Sequence, residues 1–283
     1  MKLIKPHFEI LEQQPGIDGI YKMIELAGRT CYRSEDKITE DSAKAFVDRM
    51  IKSGHGAMLE HGTVYLLIPQ FNDVCACNPF HTPFEYNKYS KEVIIRDENK
   101  DKYAVVSTNM RVIIENNLEN YLQFICEPTE WHERRVTVRF TCDRGILAEF
   151  TRHRTFSFAA ESTRYCNYSK DKFNNELTFI EPCWEWYNPT RDGFSEFKTS
   201  LVNAENTYLY LIEHGWKPQQ ARAILPNSLK TELVMTGFIS DWKHFFSLRS
   251  NKYGKGGAHP SASELADSLY EEFVSRDYIN SIK

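Results

Sequence analysis

Apolar side chains recur at the spacing of amphipathic helices in several parts of the chain. The pattern is clearest over residues 17–27, 43–51 and 197–212. A glycine follows each run, which predicts that each helix ends there, at Gly28, Gly54 and Gly215. Three further helices are expected after polar residues that can cap a helix start: Asp143, Asp241, and Ser261 with Glu264.

Alternating and β-branched runs predict strands at Thr63–Ile68, Tyr103–Ser107, residues 136–140, and Thr231–Phe238. Residues 70–102 are polar and irregular, and we interpret them as a long loop or an insertion. Helices and strands do not alternate regularly. This favours an α+β fold, with a mixed or antiparallel sheet and helical clusters, over a doubly wound sheet.

Composition excludes several classes of protein. Hydrophobic residues make up 41% and charged residues 26% of 283 residues, which is ordinary for a globular protein. The longest apolar run, Val64–Ile68, is far too short to cross a membrane, and the leading residues lack a secretory signal. A net charge of −4 argues against a protein that grips long nucleic acid.

Seven cysteines in a chain without a leader predict free thiols in a reducing cytoplasm. Cys75 and Cys77, with His81 nearby, could suggest zinc, but no second pair has the spacing of a zinc site. We therefore expect no metal. Glycine-rich phosphate loops of the Rossmann and Walker types are also missing from the sequence. No clean domain boundary is visible, and Tyr187–Thr190 is the weakest joint.

Arginine is concentrated between Glu130 and Tyr165, a stretch that contains seven arginines and no lysine. Guanidinium can grip a phosphate or a uracil-like edge with two parallel hydrogen bonds. For three of them, we expect ordinary pairing with nearby carboxylates: Arg134, Arg135 and Arg144. Between Arg152 and Arg164, cations cluster around serines, and because like charges repel, this segment predicts an anion site suited to a nucleotide phosphate.

The same segment resembles the signature of flavin-dependent thymidylate synthases, written RHRxxSxxxxSxR. All six specified positions match, at Arg152, His153, Arg154, Ser157, Ser162 and Arg164. Three other stretches agree with the family in their order along the chain: Leu59–His61 with Thr63, Ala221–Pro226, and Trp242–Arg249. The resemblance spans roughly residues 20–270, and only 70–130 lacks a counterpart. We therefore expect a single domain over 1–283 with an insertion at about 70–130.

The resemblance implies an enzyme that methylates dUMP to dTMP. Methylenetetrahydrofolate would donate the carbon unit, and NADPH would reduce bound FAD. The expected assembly is a cytoplasmic homotetramer that shares its active sites between subunits and binds neither long nucleic acid nor a membrane. FAD contacts would fall on Thr63, Arg152, His153, Arg154, Phe238, Ile239, Ser240 and His244. Contacts to dUMP would fall on Glu149, Arg152, Ala160, Glu161, Ser162, Thr163, Arg164, Arg222 and Arg249.

Arg249 is the expected catalytic residue in this interpretation. A fixed cation beside the uracil edge favours loss of the N3 proton, which polarises the ring for transfer chemistry. In this family no protein nucleophile is thought to be required, so we expect Ser162 to bind and orient the substrate rather than attack it.

Several positions depart from the family pattern. Ala159 and Ala160 stand where the family often has Asn and Glu, and Glu149 replaces a frequent Gln. His244 and Cys31 stand where Asn and Ser are frequent. Two alternatives therefore stay open beside the flavoenzyme. One is a non-catalytic nucleotide- or RNA-binding homologue, and the other is a homologue that keeps the scaffold but has lost turnover.

Overall fold

The computed structural model describes residues 1–70, 82–169, 175–184 and 193–280. The strands in these ranges are β1 (Lys2–Ile4), β2 (His7–Leu11), β3 (Thr63–Gln70), β4 (Lys91–Arg96), β5 (Lys102–Asn109), β6 (Arg135–Asp143), β7 (Ser157–Ala160), β8 (Thr178–Ile180) and β9 (Lys230–Phe238). The α-helices are α1 (Gly16–Tyr32), α2 (Ser42–Lys52), α3 (Gly56–Leu59), α4 (Met110–Glu115), α5 (Arg144–Phe150), α6 (Gly193–Glu213), α7 (Pro218–Ala221), α8 (Ile239–Arg249) and α9 (Pro260–Ser275). Short 3₁₀ turns occupy Glu35–Lys37, Glu119–Phe124 and Arg222–Ile224.

The sheets are mainly antiparallel. One sheet has the strand order β2-β6-β9-β7 and another the order β3-β5-β4, and all neighbours in both are antiparallel. The short strands β1 and β8 pair in parallel. Helices cover these sheets without a repeating strand–helix unit, so the predicted α+β class with antiparallel sheets is confirmed.

Aromatic packing fixes α8 on the β2-β6-β9-β7 sheet. Trp242 is fully buried, with its ring centroid 4.7 Å from that of Phe156 and 5.3 Å from that of Phe273. Its indole N–H donates to the carbonyl oxygen of Val136 on β6 at 3.1 Å. Because a buried ring of this size allows little movement, the far end of α8, where Arg249 lies, is held in a defined place.

The segment predicted as a loop contributes a strand to the second sheet. Residues 70–102 include β4, which pairs with β5, whereas positions 71–81 lie outside the described residues. The expectation of a purely irregular stretch is therefore wrong for Lys91–Arg96. Its apolar core of three residues is flanked by charge, and Val93 and Ile94 stay largely exposed, so it lacks the alternation of a half-buried strand.

Three predicted helix boundaries are also wrong. α1 continues past Gly28 to Tyr32 and ends where Arg33 adopts a left-handed conformation with φ of 49°. α8 begins before Asp241, whose carboxylate accepts the backbone N–H of Phe238 from inside the first turn. α9 begins at Pro260, and the imidazole of His259, rather than Ser261, caps it by accepting the backbone N–H of Ser261 at 3.2 Å. The predicted cap at Asp143 is confirmed: its carboxylate accepts the N–H of Ile146 at 2.7 Å.

Gly28 stays inside α1 because of a close approach by α2. A Cβ built at this position would lie 2.5 Å from the ring of Phe46, which is itself buried. Glycine here serves packing rather than helix termination. Within the described residues, no helix is both long enough and apolar enough to span a membrane.

Replacing Gly28 with alanine tests this packing. Alanine favours a helix interior by about 1 kcal/mol over glycine, yet we expect Gly28→Ala to lower the free energy of unfolding by about 1–3 kcal/mol because it overpacks the contact with Phe46. Urea denaturation measures the change. The double variant Gly28→Ala with Phe46→Leu should recover part of the loss, and a stabilised single variant would contradict the contact.

Candidate functional site

The Arg152–Arg164 segment is built around a short strand. It leaves the end of α5, forms β7 in its middle, and continues into the turns that follow. β7 pairs with β9 from Ser157 opposite Thr236 to Ala160 opposite Leu233. At about 3.3 Å per residue, the strand β7 itself spans roughly 10 Å. The candidate site therefore has two parts, one at each end of β7.

At the first end, Arg249 joins the last turn of α8 to the segment. Its Nε donates to His153 Nε2 at 3.0 Å, one Nη donates to the Glu149 carboxylate at 2.7 Å, and the other donates to the Glu149 carbonyl oxygen at 2.9 Å. The Glu149 carboxylate, unusual for the family, thus meets an arginine. Three of the five N–H groups of Arg249 are used, and among the described residues the other two have no partner.

His153 is buried and electrically neutral at this end of the site. Loss of solvent, together with the positive charge of Arg249, lowers the pKa of His153 to about 4. Because its Nε2 accepts from Arg249, the ring proton lies on Nδ1. The ring of His244, one of the predicted flavin contacts, lies 6.3 Å away between centroids.

At the second end, the turns after β7 carry predicted dUMP contacts. The Arg222 guanidinium donates to the Thr163 hydroxyl at 3.2 Å, and the backbone N–H of Ser162 donates to the carbonyl oxygen of Cys31 on α1 at 2.9 Å. Arg164 and Arg222 are exposed, and within the described ranges neither has a carboxylate at ion-pair distance. Their unpaired positive charge suits a phosphate.

Glu161 is held differently from its neighbours. Its carboxylate is buried, accepts the Tyr168 hydroxyl at 2.9 Å, and pairs with the Lys230 ammonium at 3.1 Å. Lys230 and Arg33 also bind Glu232, and these cations hold the pKa of Glu232 below its usual range despite burial. The cluster ties the turn after β7 to β9 and to the end of α1.

The alanines that depart from the family pattern face the protein core. Ala159 is buried with Leu11, Met23 and Val234, and Ala160 packs at the edge of the aromatic core. Neither methyl group offers a polar contact at this point of the site.

The predicted flavin residues at the start of β7 and the end of β9 lie next to a cavity of about 280 Å³. Arg154 and Phe238 line it. Ile239 and Ser240 follow at the start of α8. The backbone N–H of Ile239 donates to the carbonyl oxygen of Arg134, and that of Ser240 donates to the carboxylate of Glu133. Arg152 is exposed on the turn after α5. Thr63 is buried, and its hydroxyl accepts from Arg135 at 3.2 Å.

Arg135 is a residue whose role the sequence did not predict. We expected it to pair with a carboxylate, but its guanidinium donates to neutral oxygens at Glu60 (the carbonyl), Thr63 and Ser157. Its Nε is buried and has no hydrogen-bond partner among the described residues. The strand predicted over 136–140 puts Arg135 at the start of β6, but only the fold shows which groups surround it.

Tyr165 and Tyr32 form an aromatic pair beside the second end. Their ring centroids are 5.3 Å apart, and both help to line a cavity of about 590 Å³ together with Arg29, Arg49 and His55. Tyr165 directly follows the arginine that closes the signature, so its position in the sequence was a usable signal. Arg222 and Arg249 thus contact opposite ends of β7 within one chain, and they do not touch the same groups.

Comparison with known proteins gives the class. The sequence model of the thymidylate synthase complementing protein family matches residues 128–276. This match covers more than half of the chain and contains the whole Arg152–Arg164 segment together with Arg222 and Arg249. The chain belongs to the thymidylate synthase complementing protein family.

Individual relatives are flavin-dependent thymidylate synthases. The chain is 31% identical to that of Pyrococcus furiosus over 141 residues, which are 50% of this chain and 54% of the relative. It is 27% identical to that of Synechocystis sp. over 180 residues, which are 57% of this chain and 81% of the relative. It is 24% identical to that of Mycobacterium bovis over 239 residues, which are 83% of this chain and 70% of the relative. The chain thus spans about half the length of its Pyrococcus relatives. A solved UMP/dUMP methylase, PolB from Streptomyces cacaoi bound with 5-Br dUMP, aligns over 97% of this chain and 93% of its own at 15% identity and a TM-score of 0.45.

The electrostatics of His153 predict how stability depends on pH. The unfolded chain binds a proton at this histidine below an ordinary pKa of 6.5, whereas the folded chain does not until about 4. Stability from this group is therefore complete above pH 6.5 and is lost as the pH falls towards 4, by at most about 3 kcal/mol. Urea unfolding between pH 7 and 4.5 should show a shallower pH dependence for His153→Gln than for the unmodified protein. Equal slopes would contradict the buried neutral state.

Proposed function

We propose that this protein is a flavin-dependent thymidylate synthase that methylates dUMP to dTMP in dTMP biosynthesis. Methylenetetrahydrofolate would be the one-carbon donor, and NADPH would reduce the bound FAD. Family membership supports the class of reaction. The single observation that carries the proposal further is the contact of Arg249 with both His153 and Glu149, which brings the last predicted substrate arginine onto the signature segment.

The proposed role of Arg249 follows from its remaining donors. Two of its N–H groups have no partner in the part of the chain that the structure describes, and its side chain is only partly exposed, so its charge is weakly screened. A uracil edge placed against them would lose its N3 proton more easily, because the fixed cation stabilises the anion. Glu149 and the neutral His153 hold the guanidinium in one orientation, which limits the reorganisation needed at the moment of reaction.

Phosphate binding is proposed for the second end of β7. The exposed cations there are Arg164 and Arg222, and the hydroxyl of Ser162 is a neutral donor beside them. Ala160, Glu161 and Thr163 complete the proposed dUMP contacts, with Glu161 acting through its main chain because its carboxylate is already engaged by Tyr168 and Lys230. Arg152, exposed at the other end of the segment, would serve both nucleotide and flavin.

The residues beside the 280 Å³ cavity fit part of a flavin dinucleotide. Phe238 offers an aromatic face and Arg154 offers a cation, and Ile239 and Ser240 lie beside them at the start of α8. Thr63, Arg152, His153 and His244 would supply the remaining contacts. FAD, when bound, supplies the hydride chemistry that the side chains here lack. The cavity lies at the small end of the range for small-molecule sites, so one chain would hold only part of the dinucleotide.

A cytoplasmic homotetramer with shared sites is part of the proposal. Within one chain, Arg222 and Arg249 contact opposite ends of β7. In the proposed assembly, the first end of β7 in one subunit approaches the second end in another, so that both arginines reach one nucleotide. A symmetric assembly achieves this for every subunit at once.

The proposed reaction is tested on the purified protein. It should be yellow when loaded with FAD, NADPH should bleach the flavin absorbance, and tritium should be released from [5-³H]dUMP only when methylenetetrahydrofolate is present. A protein that stays colourless after incubation with FAD would rule out the proposal. Strongly salt-dependent oligonucleotide binding without flavin would indicate the RNA-binding alternative instead.

The scaffold without turnover is a second candidate, because Ala159 and Ala160 present only methyl groups at the core where the family often has polar side chains. The same assay separates it from the enzyme: dUMP and FAD would bind, but no tritium would be released.

Arg249→Ala should reduce tritium release to background while FAD stays bound, because the arginine serves the substrate in this proposal. His153→Ala should instead weaken FAD binding, measured by flavin fluorescence. Arg276→Ala is the matched control, since this arginine forms exposed ion pairs with Glu12 and Glu272. Loss of flavin from Arg249→Ala, with Arg276→Ala unaffected, would reassign Arg249 to the cofactor.

A further inference from the structure

The cavity beside Phe238 is strongly cationic. It lies between the β4–β5 hairpin, the end of β9 and the turn before β7. The charged residues that line it within the described part of the chain are Lys88, Lys91, Arg135, Arg154 and Asp241. The Asp241 carboxylate already accepts the backbone N–H of Phe238 at 3.1 Å, so it is only partly available to the cations.

Arg135 is the most buried of these cations. The carboxylates of Glu60 and Asp241 act on it through space, but neither forms an ion pair with it in the described part of the chain. Its guanidinium donates to three neutral oxygens, and its Nε is buried without a partner among the described residues. Desolvation lowers the pKa of Arg135 to about 10, which still leaves the group charged at neutral pH. Burial of a cation that makes no ion pair is costly, and a bound anion would reduce that cost.

Two of the cations converge on one aromatic ring. The Lys91 ammonium lies 5.7 Å from the centroid of Phe238, and the Arg135 guanidinium carbon lies 5.5 Å from the same centroid. The ring faces attract both groups. Both cations therefore belong to the same cavity wall, and an anion bound in that cavity would offset the repulsion between them.

We propose that the β4–β5 hairpin, with Lys88 and Lys91, joins Arg135 to form a cationic wall that binds the diphosphate of FAD. This inference rests on the proposed function. A diphosphate carries the charge needed to offset several cations, and guanidinium binds its oxygens in pairs. FAD is favoured over other diphosphates because Arg154 and Phe238, two of the proposed flavin contacts, line the same cavity.

The two lysines of the cationic wall lie outside the part of the chain that matches the family model. Lys88 and Lys91 lie before residue 128, where the match to the family begins. The insertion would thus have a defined task, to cover the diphosphate from a side that the matched part of the chain leaves open. Asn109 and Ser157, both buried and polar, line the same cavity.

Flavin affinity tests the proposal. The double variant Lys88→Gln with Lys91→Gln should raise the Kd for FAD about tenfold or more, as expected for loss of charge-assisted hydrogen bonds. The Kd for riboflavin, which lacks phosphate, should not change. Arg96→Gln is the matched control, because it removes a cation from the far end of the same strand and does not line the cavity. Both lysines are exposed, so the variants should fold normally.

Each outcome supports or overturns the wall. A raised Kd for FAD alone, with a weaker salt dependence than in the unmodified protein, supports it. Unchanged FAD binding in the double variant overturns it while leaving the proposed function intact. A raised KM for NADPH with unchanged FAD binding would assign the diphosphate to the nicotinamide cofactor and overturn the FAD assignment. If the unmodified protein binds no FAD, the proposed function and the wall both fail.

Discussion

The hydrogen bonds of Arg249 to Glu149 and His153 are the interaction on which the candidate site depends. They connect the end of α8 to the end of α5, two helices far apart in the chain. Their geometry is secured from below by Trp242, whose burial against the sheet fixes α8. A core of aromatic rings therefore determines where a functional cation lies, and packing and chemistry are not separable at this site.

Much of the fold and site could be predicted from local patterns. The cap at Asp143, the strand over 136–140 and the six positions of the signature depend on neighbouring residues, and such patterns are readable in one dimension. The class of fold followed because the elements do not alternate. Membership of the family confirms the resemblance first noted on the Arg152–Arg164 segment.

What could not be predicted depends on contacts across the chain. Gly28 was predicted to end its helix, but α1 continues to Tyr32. The glycine instead leaves room for the ring of Phe46 on α2. Arg135 was expected to pair with a nearby carboxylate, but in the fold its guanidinium donates to neutral oxygens. The predicted dUMP contact at Glu161 stays a prediction, but the sequence did not show that its carboxylate is engaged by Lys230, which lies on another strand. In each case the deciding partner lies on a different element, which local patterns do not specify.

The outer border of β4 has a consequence for solubility. β4 lies at one side of the order β3-β5-β4, with Val93 and Ile94 largely in contact with water. An edge strand with exposed branched aliphatic side chains can pair with the edge strand of another molecule and so promote aggregation. Lys91 and Arg96 lie at the two ends of β4, and repulsion between their positive charges disfavours such pairing between molecules. Replacing both with neutral residues is therefore expected to increase aggregation in concentrated samples, independently of any effect on catalysis.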